Sequence, residues 1–214
     1  MKIQFVFLAF VLSLFLEFSY LFFIQFLYKA KNKKTARIAN TFLYEITPRF
    51  YEKTSFINYV ILFAVIILLF PFIYLLVDRI NTYSVTLFIL AAILVFALAC
   101  IPFIGLDKLR EHLFLDLGAI VSLLALTGFE SFYTFQLYRL YRDNYQLAAM
   151  IVSLVLFVFV LAMIINPKLF DLKNDMDENG NPTRKKIIFL ALSEWLLYPL
   201  ATCALIPLIL ISVK

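Results

Sequence analysis

Asp107-Lys-Leu-Arg-Glu-His112, followed by the largely apolar run Leu113 to Tyr138, is the stretch that decides how this chain reads. A helix rises 1.5 Å per residue, so about 20 apolar residues cross the hydrocarbon core of a bilayer. The run exceeds that length. Three ionisable residues ride on it: His112, Asp116 and Glu130. Acids at membrane depth are costly to bury, so they are the first candidates for a functional site.

Working outward, five more segments have the same character: Ile3–Tyr28, Phe56–Val77, Ser84–Leu106, Tyr145–Ile165 and Ile187–Val213. With Leu113–Tyr138 they predict an all-α, polytopic integral membrane protein, a bundle of six transmembrane helices forming one domain over residues 1–214. Closed backbone hydrogen bonding makes helices the form such runs take in lipid. Composition agrees. The chain is 64% hydrophobic, against roughly 45–50% for a soluble domain, and its mean hydropathy is +0.95. The opening run is too long for a signal-peptide core of about 7–15 residues and reads as a retained first span. Pro71, Pro102, Pro199 and Pro207 lie in or near spans and should kink or end them. Gly is scarce (4) and Phe abundant (25), and no GxxxG occurs, so contacts between large side chains are expected rather than glycine-mediated crossings. Cys100 and Cys203 sit in apolar runs and read as free thiols. A single His excludes bis-His haem and three-His zinc within one chain. No cofactor, metal or nucleic-acid partner is expected.

Basic residues set the orientation. Loops 29–55, 107–112 and 166–186 carry 14 of the 19 Lys and Arg. The positive-inside rule then predicts these three loops in the cytoplasm and both termini outside. Lys29, Lys31, Lys33, Lys34 and Arg37 form a basic cluster beside the first span, a candidate contact for anionic lipid headgroups. Ile38–Tyr44 is mixed apolar and polar and suggests a short interfacial helix. In the fifth loop, Asp175-Met-Asp177-Glu-Asn179-Gly180 matches the opening of an EF-hand calcium loop. Position twelve is Lys186, where a bidentate Glu belongs, so a solvated turn is the expectation.

Four acids fall within the spans: Glu17, Asp116, Glu130 and Glu194. No Lys or Arg does. Measured from the predicted cytoplasmic ends, Asp116, Glu194 and Glu17 lie at about 5, 10 and 16 Å, and Glu130 at about 25 Å. His112 and Asp116, four residues apart, share a helix face. Tyr198 is one turn beyond Glu194, Tyr20 is three residues beyond Glu17, and a tyrosine hydroxyl can satisfy a carboxyl group. The expectation is a cluster of Glu17, His112, Asp116 and Glu194, with Glu17 and Glu194 sharing a proton or hydrogen bonds. Trp195 and Tyr198 are its aromatic neighbours and Glu130 stands apart. Such a cluster either fixes helix register, or forms an ion, proton or lipid-headgroup site, or serves catalysis with His112 as a base and Asp116 as its orienter.

His112, the Gly118-Ala119 pair and Ser193-Glu194-Trp195 resemble patterns in the six-span DRAM/Sfk family of damage-regulated autophagy modulators and relatives. The likeness covers these short patches. It implies a six-helix, lipid-linked membrane protein without established catalysis. Members of that family are expected to keep both termini in the cytoplasm, which is opposite to the orientation given by the basic loops here.

No G-x-S-x-G, H-E-x-x-H, P-loop or G-x-G-x-x-G is present. Three function classes remain. The first is a non-enzymatic multi-pass membrane protein, an accessory subunit or lipid-interacting scaffold, with membrane lipids and a membrane subunit as partners. The second is a proton- or cation-coupled transporter using the inner-half acids. The third is an intramembrane lipid-modifying enzyme.

Overall fold

The structure is a computed structural model, and it describes residues 2–46, 56, 60, 64, 84–101, 109–171, 175–176, 182–183 and 186–212. The predicted span Phe56–Val77 and the prolines Pro71 and Pro102 fall outside these residues or at isolated positions among them. The described chain is helical: α1 (Lys2–Asn32), α2 (Leu43–Ile46), α3 (Ser84–Cys100), α4 (Leu109–Tyr141), α5 (Asn144–Ile165), a 3-10 turn (Pro167–Phe170), α6 (Phe189–Ala204) and α7 (Ile206–Ser212). Two residues, Asp175–Met176, pair antiparallel with Pro182–Thr183 in the fifth loop. Among the described residues four helical stretches are long and apolar enough to cross a membrane: Phe10–Asn32, Leu113–Tyr141, Asn144–Ile165 and Phe189–Ile211. Val85–Cys100 is apolar but shorter.

Helix boundaries depart from the expected ones for local reasons. α1 continues past Tyr28 to Asn32, so Lys29 and Lys31 lie on its last turn rather than in a loop. Cations there complement the helix dipole. The helix closes at Lys33, which adopts φ 54° and donates its amide to the Lys29 carbonyl at 2.9 Å. This is a left-handed cap built without glycine. α4 ends the same way: Arg142, at φ 50°, donates to the Tyr138 carbonyl at 2.9 Å. Asp143 then caps α5 through a 3.1 Å bond from the Tyr145 amide. One αL residue and one N-cap thus reverse the chain in two residues.

The prolines act unequally. α6 runs through Pro199, whereas the chain breaks at Leu205, just before Pro207 in the first turn of α7. The last span expected over Ile187–Val213 is thus one spanning stretch, Phe189–Ile211, built of two successive helices.

α4 packs most extensively on α3 and α5 and also touches α6 and α7. Its buried face repeats every three to four residues: Asp116, Ile120, Leu123, Thr127, Glu130 and Thr134. Phe114, Val121, Phe129 and Phe132 face away. Ser122, Thr127, Ser131 and Thr134 return their hydroxyls to carbonyls of the preceding turn at 2.7–2.9 Å, which satisfies them without partners on other helices. Thr134 also approaches Ser153 of α5, with the two oxygens 3.3 Å apart. At the α4–α5 crossing a Cβ on Gly128 would come within 3.2 Å of the Phe157 ring. One close glycine contact therefore exists, contrary to the expectation from composition.

Candidate functional site

α6 is where the polar side chains converge. It contacts α1 through α5, α7 and the 3-10 turn. Its sequence places Glu194, Tyr198 and Thr202 at intervals of four, a stripe along one face. All three are buried.

Each member of that stripe reaches a different element. Glu194 Oε2 accepts the Leu43 amide at 2.9 Å. Leu43 is the first residue of α2, so a carboxylate from α6 caps the N-terminus of a helix 151 residues earlier in the chain. The next free amide of that terminus, on Phe42, goes to Glu45 Oε2 at 3.1 Å, the backward half of a capping box. Tyr198 donates its hydroxyl to the Leu98 carbonyl of α3 at 2.7 Å. Pro102 carries no N–H, so that carbonyl has no donor four residues ahead of it. Thr202 donates to Glu17 of α1. Trp195, beside the stripe, donates its indole N–H to the Thr41 carbonyl at 2.8 Å.

The segment 39–46 is consequently an internal strap. The Ile188 amide donates to the Ala39 carbonyl at 2.8 Å, adding a third bond to those from Trp195 and to Glu194. Phe42, Leu43, Tyr44 and Ile46 are buried. The interfacial helix expected over Ile38–Tyr44 is corrected here. Residues 38–40 form a turn and the helix starts at Leu43. Its apolar side chains pack against α6 and α1. Apolar residues spaced for an interfacial helix serve equally well for docking on protein.

The expected cluster forms in part. Asp116 of α4 is fully buried and lies within electrostatic reach of both Glu194 and Tyr198. Tyr20 of α1 packs on Tyr198 with ring centroids 6.3 Å apart. Glu17 accepts from Thr202, and Glu194 accepts the Leu43 amide. Thr202 was missed in the sequence, although the interval of four from Glu194 through Tyr198 marks it. His112 lies on α4 and its side chain falls outside the described residues. Gly118 is exposed and Ala119 buried. Glu130 is fully buried, and neither carboxyl oxygen has a hydrogen-bond partner among the described residues. Lys29, Lys31, Lys33, Lys34 and Arg37 are all exposed.

Among the described residues no group of three or more His, Cys, Asp or Glu is placed to hold a metal ion. The Asp175–Met176 and Pro182–Thr183 pairing closes the fifth-loop segment as a hairpin, and residues 177–181 between them lie outside the described set. A groove of about 250 Å³ opens between the end of α5, the 3-10 turn and the start of α6. Comparison with family models, with curated proteins and with solved structures finds no match.

Proposed function

We propose that this chain is a non-enzymatic, multi-pass integral membrane protein that serves as an accessory subunit or lipid-interacting scaffold. One observation carries this: Glu194 through Oε2, Trp195 through its indole N–H, and Tyr198 and Thr202 through their hydroxyls tie α6 to the strap, to α3 and to α1. Groups used to fix helix positions are used for architecture. The resemblance to the six-span DRAM/Sfk family points to the same class. In this proposal the segments containing Lys31 and Lys185 face the cytoplasm and both termini face outward, following the basic-residue asymmetry. Purified protein in proteoliposomes carrying a pH or sodium gradient should dissipate neither faster than empty vesicles. Flux that the protein adds would overturn the scaffold assignment.

Glu130 favours a second reading. A fully buried carboxyl without a hydrogen-bond partner among the described residues is the kind of group that proton- and cation-coupled carriers use. In that case the same assay shows flux, and Glu130→Gln removes it.

A further inference from the structure

We infer that the groove between α5 and α6 is a site for one anionic phospholipid, with an acyl chain lodged in it and the headgroup held by Lys168, Lys186 and Arg37. The inference rests on the proposed membrane scaffold and names its ligand class. Phe159, Met163, Leu169, Phe189, Leu192 and Leu196 give the groove an apolar wall. Its volume of about 250 Å³ falls below the roughly 300–1,000 Å³ of small-molecule pockets. A single flexible chain suits it better than a compact ligand. Phe159 and Ala162, exposed at its rim, leave it open on the outward face of α5. Ser193 lines it, but that hydroxyl is donated to the Leu190 carbonyl at 2.7 Å, so it adds little polarity.

Polarity is confined to one end. Asn166 lines the groove where α5 stops, and its side-chain oxygen is taken by the Lys168 amide at 3.1 Å. The Nδ2 hydrogens are what Asn166 has to offer a ligand. Lys168 is exposed on the 3-10 turn next to Leu169, a wall residue, and Lys186 is exposed three residues before Phe189, another. The Ile188–Ala39 hydrogen bond brings in the basic first loop, because exposed Arg37 is two residues from Ala39. Asp171, on the same turn as Lys168, is half-buried and leaves the set of four with a net positive charge. An apolar slot with exposed Lys168 and Lys186 one and three residues from its wall, and exposed Arg37 two residues from a backbone bond to Ile188, complements a lipid with a negative headgroup. Of the basic cluster after the first span the site uses Arg37, whereas Lys29 and Lys31 lie on the last turn of α1.

Native mass spectrometry of the detergent-solubilised protein, titrated with phosphatidylglycerol or phosphatidylcholine of the same acyl chains, tests this. The expected result is one tightly held phosphatidylglycerol and weaker phosphatidylcholine. Each nearby charge is worth about fivefold in affinity, so joint Arg37→Gln, Lys168→Gln and Lys186→Gln should weaken phosphatidylglycerol at least tenfold. Ala162→Trp, which adds bulk at the exposed rim, should block both lipids. Neutralising Lys29 and Lys31 should change little. Equal retention of the two lipids overturns the inference, as does loss on neutralising Lys29 and Lys31 alone. Loss with Ala162→Trp but not with the triple variant overturns the anionic assignment. Circular dichroism of each variant separates misfolding from lost binding. Gradient dissipation in proteoliposomes, measured alongside, reports separately on the scaffold assignment.

Discussion

Phe189–Ile211 and Asn144–Ile165 are apolar stretches of almost equal length, 23 and 22 residues, yet 50% of an 18-residue apolar window in the first is buried and 17% of one in the second. The more buried stretch is the less apolar. Glu194, Trp195, Tyr198 and Thr202 turn it inward, whereas α5 presents Ile151, Leu154, Val155 and Val158 outward. The inward positions of α5 are Gln146, Ala149, Ser153 and Val160, small or polar with one exception. Lipid tails are as apolar as leucine, so large aliphatic side chains gain little by turning inward in a membrane. Polar groups do gain, because their alternative is hydrocarbon. In such a chain the interior is marked by its hydrogen-bonding residues.

Leu190 is fully buried on α6 and Leu154 is 50% exposed on α5. Leu190→Ala should lower stability by about 2 kcal/mol, the low end for a buried leucine because lipid removes most of the transfer contribution. Leu154→Ala should stay within about 0.5 kcal/mol. Unfolding in mixed micelles, followed by the fluorescence of Trp195, the single tryptophan, measures both. Equal losses would mean that the outward face of α5 is covered by protein. Next in size is Glu194→Leu, which strands the Leu43 amide at a cost of about 1–3 kcal/mol. Glu194→Gln keeps an acceptor and should recover most of that loss; if Gln is as damaging as Leu, the charge itself matters. Tyr198→Phe removes the donor to Leu98 and should cost about 1 kcal/mol in the same assay. The smallest effect belongs to the α4–α5 turn. Arg142 sits at φ 50°, so Arg142→Gly should stabilise by roughly 0.5 kcal/mol. Asp143→Ala should cost about 1 kcal/mol, visible as faster hydrogen exchange at Tyr145.

Much of the helical layout was legible because length and hydropathy carry it. Leu113–Tyr138 and Tyr145–Ile165 lie inside α4 and α5 with small shifts at the ends. The end of α1 was less legible, because a lysine-rich tail looks like a loop but is helix-compatible up to the αL residue Lys33. Glu194, Trp195 and Tyr198 stood out as rare polar groups in an apolar run. Their partners did not, for a physical reason. All three are backbone groups, of Leu43, Thr41 and Leu98, and backbone amides and carbonyls recur all along a chain, so no side-chain pattern marks them. The strap was misread because apolar residues alternating with polar ones suit a membrane surface and a protein surface alike.

The bond between Leu43 and Glu194 spans 151 positions, which gives it a meaning in time. At a synthesis rate of about 5–20 residues per second, α6 follows the strap out of the ribosome by roughly 8–30 seconds. Until then the Leu43 amide and the Thr41 carbonyl await Glu194 and Trp195, and Phe42, Tyr44 and Ile46 await the surface that covers them. The nascent chain therefore presents an unfinished apolar segment next to its first helix for most of its synthesis. Docking of α6 withdraws it.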